Sequence, residues 1–137
     1  MAQNTAPIFA AIPKINWAAG VTAANTAKDG TGTVDTVFTA DALDGSYVLK
    51  LVARPKGTNV ASVLRVFINN GSANTTAANN VLFAELSLPA TTLSEVAALS
   101  GVELPLNIPM PIGYKLNVTL GTAVAAGWAV TVIGGDY

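Results

Sequence analysis

Residues 63–86 read "VLRVFINNGSANTTAANNVLFAEL". At the left end Val63, Arg65 and Phe67 alternate with Leu64, Val66 and Ile68. At the right end, carried on to residue 88, Leu82, Ala84, Leu86 and Leu88 alternate with Val81, Phe83, Glu85 and Ser87. A period of two sends successive side chains to opposite faces of an extended chain, so both runs read as β-strands with one face buried. Between them, Asn69 to Asn80 are Asn, Gly, Ser, Thr and Ala without a single charge. That loop sets the functional question, because little else in the chain is charged either.

The same period recurs outward from this hairpin. Downstream, "VELPLNI" (102–108) turns Val102, Leu104, Leu106 and Ile108 inward and Glu103 and Asn107 outward. "YKLNVTL" (114–120) sets Tyr114, Leu116, Val118 and Leu120 against Lys115, Asn117 and Thr119, and "WAVTVIG" (128–134) follows. Upstream, "SYVLKLVAR" (46–54) puts Tyr47, Leu49, Leu51 and Ala53 on one face and Val48, Lys50, Val52 and Arg54 on the other. "TVDTVFTA" (33–40) and the weaker "KINWA" (14–18) precede it. Gly, Pro and Asp punctuate the gaps, as in "KDGTG" (28–32), "DALDG" (41–45), "RPKGTN" (54–59) and "PMPIG" (109–113), where chain reversal needs them. About eight short alternating strands with such turns predict an all-β fold: a single antiparallel β-sandwich or jelly roll. One helical signal competes. In "TTLSEVAAL" (91–99), Thr92 and Glu95 have capping-box spacing, which predicts a turn of helix.

The 137 residues suit one domain. The least regular part is residues 1–30, read as an N-terminal arm or a first strand plus loop, with the sandwich proper over 31–137. Ile8, Phe9, Ile12, Ile15 and Trp17 in that arm need a cover, from this domain or from a neighbour.

Composition narrows the chemistry. The chain has no cysteine and no histidine, which removes disulfides, thiolate ligands, and the commonest general base and metal ligand. A net charge of −1 gives no steering toward nucleic acid or an anionic membrane. No run approaches the ~18–20 apolar residues of a membrane helix. The start lacks a basic segment followed by a continuous apolar core, so synthesis and assembly in a cytosol are expected. Only 11% of residues are charged and 51% are hydrophobic, against ~25% charged in ordinary domains. Charge-poor surfaces give little colloidal protection, so much of this surface is expected to be covered in an assembly.

No catalytic, cofactor-binding or metal-binding residues are predicted. Asp29, Asp41 and Asp44 sit in turns, which explains them without acid–base work. "DALDG" lacks the spacing of a calcium loop, and no serine has a base partner in sequence. The sequons at Asn70, Asn74 and Asn117 follow from a composition rich in Asn and Thr. The chain is therefore not expected to be an enzyme. The predicted interface residues are Ile8, Phe9, Ile12 and Trp17 of the arm, Asn70 and Asn74 of the long loop, and Tyr137 at the end of "IGGDY".

The segments "VLRVFINNGS", "LPATTLSE", "VELPLNIPMPIGYKLNVTLGTAVAAGW" and the final "GGDY" together resemble small structural proteins of tailed-bacteriophage virions, over nearly the whole chain. The resemblance implies a capsid decoration (cement) protein on the outside of the capsid. It implies the major capsid protein as partner, a homo-oligomer (trimer or dimer), no cofactor, and assembly in the bacterial host cytoplasm. The alternative is a jelly-roll module of a tail or fibre that binds a host receptor or carbohydrate.

Overall fold

The computed structural model describes residues 10–137. Its strands are β1 (Ile12–Val21), β2 (Asp35–Thr39), β3 (Ser46–Pro55), β4 (Ser62–Asn69), β5 (Asn80–Leu88), β6 (Val102–Met110), β7 (Lys115–Leu120) and β8 (Trp128–Asp136). They form two four-stranded sheets, β1-β8-β3-β6 and β2-β7-β4-β5, in which every pairing of strands is antiparallel. The chain is thus an all-β sandwich, and each run of alternation in the sequence corresponds to one strand.

The inner faces close on one core. Val48, Leu51, Ala53, Trp128, Val130 and Val132 meet Phe38, Leu64, Val66, Leu116, Val118 and Leu120. Burying each large apolar side chain contributes roughly 1.5–3 kcal/mol. A core this continuous accounts for the fold without disulfides.

One register shift lies in β1 between Ala18 and Val21; three further β-bulges correct the simple alternation. In β3, Val48 opposes Gly134 and Lys50 opposes Ile133, so Leu49 is an extra residue. Val48 and Leu51 then both enter the core, while Leu49 is left 46% exposed rather than inside with Leu51 and Ala53. In β2 the register shifts between Thr36 and Phe38, and the neighbours Val37 and Phe38 are both buried. In β5 the partner of Val66 is Ala84 and that of Phe67 is Leu82. Directly opposed residues share a face, so Leu82 turns outward with Phe67 while Ala84 and Leu86 pack on the core. A bulge adds one residue to one strand and inverts the pattern beyond it.

One further expectation changes. Residues 91–99 form no helix. The Ser94 hydroxyl accepts from the Val96 and Ala97 N–H groups, but no helix continues, because Leu93 and Val96 are exposed, Val96 by 97%, and offer no packed face. Within residues 1–30, β1 is an integral strand paired with β8 and is followed by a loop; Ile8 and Phe9 lie outside the described residues.

From β1 the chain runs as a strap, residues 22–34, to β2. Asn25 N–H donates to the Leu120 carbonyl at 2.8 Å, and further along Gly30 packs on Asn80. The core fills the space between the sheets, so the strap passes over the outer face of the second sheet. Phe67, Asn69, Asn117 and Thr119 point to that face yet are buried.

Candidate association surface and a polar cavity

Among the described residues, the largest group of exposed apolar side chains on one strand is on β1. Ala18 packs on the core, so the residues of opposite parity point outward, and Ile15 and Trp17 are 55% and 64% exposed. Ile12 is exposed at the start of the strand. Across the first sheet Ile15 is followed by Ile133, Lys50 and Pro105, and Trp17 by Thr131, Val52 and Glu103. The apolar end of both rows lies at the β1 edge.

That edge is weakly guarded. Free strand edges are normally protected by charge or proline. At the opposite edge β6 carries Glu103, Pro105 and Pro109. β1 carries Pro13 near its start and a single charge, Lys14. The ammonium of Lys14 is drawn inward: it donates to the Thr39 carbonyl at 2.6 Å, pairs with Asp136 at 3.2 Å and lies 5.0 Å from the centre of the Phe38 ring. Lys14 therefore bridges the edge strands of the two sheets. Beside it a cleft of about 290 Å³ opens, lined by Ile15, Asn16, Trp17 and β2 from Thr36 to Thr39.

The long polar loop is held within the chain. Asn74 Nδ2 donates to the carbonyls of Gly30 and Gly32 at 3.2 and 2.8 Å. Asn69 Nδ2 donates to Asn80 Oδ1, Asn80 Nδ2 to the Asn74 carbonyl, and Asn79 Nδ2 to the Ala73 carbonyl. Asn70 Oδ1 accepts from Ser72 N–H, and its amide donates to Asn79 Oδ1. The uncharged amides thus satisfy the loop's own backbone and, by donating to the Gly30 and Gly32 carbonyls, pin the strap. Below the loop lies a cavity of about 180 Å³ lined by Val34, Thr36, Asn69, Gly71, Ser72, Ala73, Asn74, Lys115 and Asn117.

Of the predicted interface residues, Ile12 and Trp17 both lie on β1, but Ile12 has the parity of Lys14 and Ala18, and Trp17 that of Ile15. Asn70 and Asn74 belong to the loop of the other sheet, and Tyr137 is at the chain end, its N–H donating to the Gly45 carbonyl. Ile15 completes the β1 group. It shares the parity of Trp17 in the sequence, which is the signal that groups the two.

The acids serve turns. The hydroxyl and the N–H of Thr31 hold Asp29 below the usual carboxylate range. The N–H groups of Asp44 and Leu43 do the same for Asp41. Burial raises Asp35. Among the described residues no group of three or more His, Cys, Asp and Glu is placed to hold a metal ion, and no helix is long and apolar enough to cross a membrane.

No protein-family model matches the chain, no curated protein matches it, and no solved structure matches it.

Proposed function

We propose that this chain is a structural protein that works by adhesion: it joins copies of itself and neighbouring subunits of a shell, as a decoration protein does on a tailed-phage capsid. The observation that carries the reading is the β1 edge, with Ile12, Ile15 and Trp17 exposed on a strand whose one charge is turned inward. Apolar and aromatic anchors in a charge-depleted patch are what stable interfaces use. The strand order 1-8-3-6 against 2-7-4-5 supports a jelly roll, an architecture met in viral capsid proteins. In this reading the partner is a major capsid protein, the oligomer is a dimer or trimer, and the site of action is the capsid surface after assembly in the host cytoplasm.

The test is a double substitution, Ile15→Lys with Trp17→Lys. Both side chains point away from the core, so the variant keeps the melting temperature of the parent. Sedimentation shows loss of self-association, and added particles no longer retain the protein. A parent protein that stays monomeric at all concentrations and never binds particles overturns the reading.

A further inference from the structure

The cavity beneath the 70–79 loop is built from polar groups whose hydrogen-bonding capacity the chain does not use up. Asn117 is 2% exposed. Its Oδ1 accepts from the Thr36 hydroxyl at 2.7 Å, while its amide nitrogen donates to no group among the described residues. Lys115 beside it has no carboxylate partner among them, and the Ser72 hydroxyl and Asn74 Oδ1 are likewise unengaged. The donor end of this nearly buried amide faces the cavity, so its partner, water or a ligand, comes from there. At about 180 Å³ the space far exceeds the ~15 Å³ that one water needs. It falls short of the ~300–1,000 Å³ of sites for larger ligands, so it suits one small unit rather than a chain of them.

The lining specifies the chemistry of that unit. It holds one cation, several neutral donors and acceptors, and no carboxylate. An ammonium beside amide and hydroxyl donors favours an anionic oxygen, since hydrogen bonds to charged acceptors are about twice as strong as neutral ones. The hydroxyls of Thr36 and Ser72 and the side-chain Oδ1 of Asn74 suit a ligand that also carries hydroxyl groups. The walls are held in place, because Asn74 is fixed by the strap and Asn69 by Asn80 and Gly71, so little ordering accompanies binding.

We propose that this cavity is a binding site for a single carboxylate-bearing sugar unit, with Lys115 on the carboxylate and Asn117 and Ser72 on the ring oxygens. It is separate from the β1 edge and independent of the adhesive role. The experiment titrates the intact protein with glucuronate, N-acetylneuraminate, glucose, acetate and inorganic phosphate, followed by side-chain amide NMR signals. Glucuronate or N-acetylneuraminate is expected to shift the Asn74 and Asn117 amides, with glucose binding about tenfold more weakly. Lys115→Gln weakens the acidic sugar about tenfold, and Ser72→Ala weakens it less; neither residue is in the core, so both variants fold. Acetate or phosphate binding as tightly as the acidic sugars overturns the sugar assignment. No saturable shift with any acidic sugar, or a shift that Lys115→Gln leaves unchanged, overturns the site.

Discussion

The side-chain amide of Asn74 donates to the Gly32 carbonyl at 2.8 Å, across 42 residues of chain. This bond, with its companion to Gly30, fastens the β4–β5 loop to the strap that covers the second sheet. Asn74→Ala removes two hydrogen bonds worth roughly 0.5–1.5 kcal/mol each, so a loss of about 1–3 kcal/mol is expected in urea unfolding. Amide exchange should accelerate in residues 28–33. An unchanged exchange rate there shows that the strap is held by other contacts.

Gly134 lies where β8 passes the β3 bulge. A Cβ at this position would overlap the Tyr47 carbonyl oxygen and sit 3.1 Å from Val48 Cα. Both are backbone atoms of a central strand pair and cannot rotate aside. Gly134→Ala is expected to destabilise by about 3 kcal/mol or more, in the range of overpacked cores. Gly113→Ala is the control for steric crowding, since nothing lies within 4 Å of its Cβ position. Its φ of 73° leaves only the smaller cost of a left-handed alanine, about 1 kcal/mol. A Gly134→Ala protein as stable as the Gly113→Ala one refutes the close approach.

Eight strands were legible because each sends alternate residues to a core of apolar side chains and to an outer face that carries more polar ones, and that alternation is written into the residues. What alternation assumes is an unbroken register, and the bulges at Leu49 and Phe83 break it. Leu49 and Leu82 read as inward for that reason. The helix expected at 91–99 had capping residues but no surface to pack on, and capping alone is too weak to hold one turn. The strap was hidden because its partners, Asn74 and Asn80, are more than forty residues away in sequence. The β1 group was half visible: Ile12, Ile15 and Trp17 stand out as large apolar residues and Ile15 shares the parity of Trp17, but that the two point outward is known only once Ala18 is seen on the core. The polar cavity had no sequence signal, since it takes Thr36, Ser72 and Asn117 from three separate elements.

The acids make opposite contributions to stability as pH changes. Burial raises the Asp35 pKa above the ordinary aspartate value of 3.8, so the fold disfavours its charged form. That penalty is present above the folded pKa and disappears as pH falls through it. Asp35→Asn is therefore stabilising near about pH 7 and neutral near about pH 3. Asp41 is the reverse case: backbone donors lower its pKa, so its contribution holds above 3.8 and is lost as pH falls below it. Asp41→Asn keeps an acceptor for the Leu43 and Asp44 N–H groups and flattens the acid limb of the stability curve. Urea midpoints at the two pH values read both effects, and equal behaviour of the two variants contradicts the assignment.

Asn59 joins three loops. Its backbone exchanges hydrogen bonds with Thr91, its Oδ1 accepts from Ala126 and Gly127 N–H at 2.9 Å, and its Nδ2 donates to the Gly127 carbonyl at 3.1 Å. The side chain is buried, so Asn59→Leu strands two backbone donors away from water, at roughly 1–3 kcal/mol each. A loss of about 3 kcal/mol is expected, and folding of the β7–β8 loop should suffer first. Asn59→Asp separates donor from acceptor. It keeps an oxygen for the two N–H groups but sets a second, charged oxygen against the Gly127 carbonyl in a buried site. Burial and the facing carbonyl raise its folded pKa, outweighing the two N–H donors that lower it, and the protein is destabilised at neutral pH. As pH falls through that folded pKa, the protonated acid donates to Gly127 in place of the amide and stability returns toward the parent. The Asn59→Leu protein shows no such recovery. Thermal melts of both variants from neutral to acid pH decide the matter, and an Asn59→Asp protein whose stability relative to the parent does not improve on acidification excludes the amide as the donor that ties these loops together.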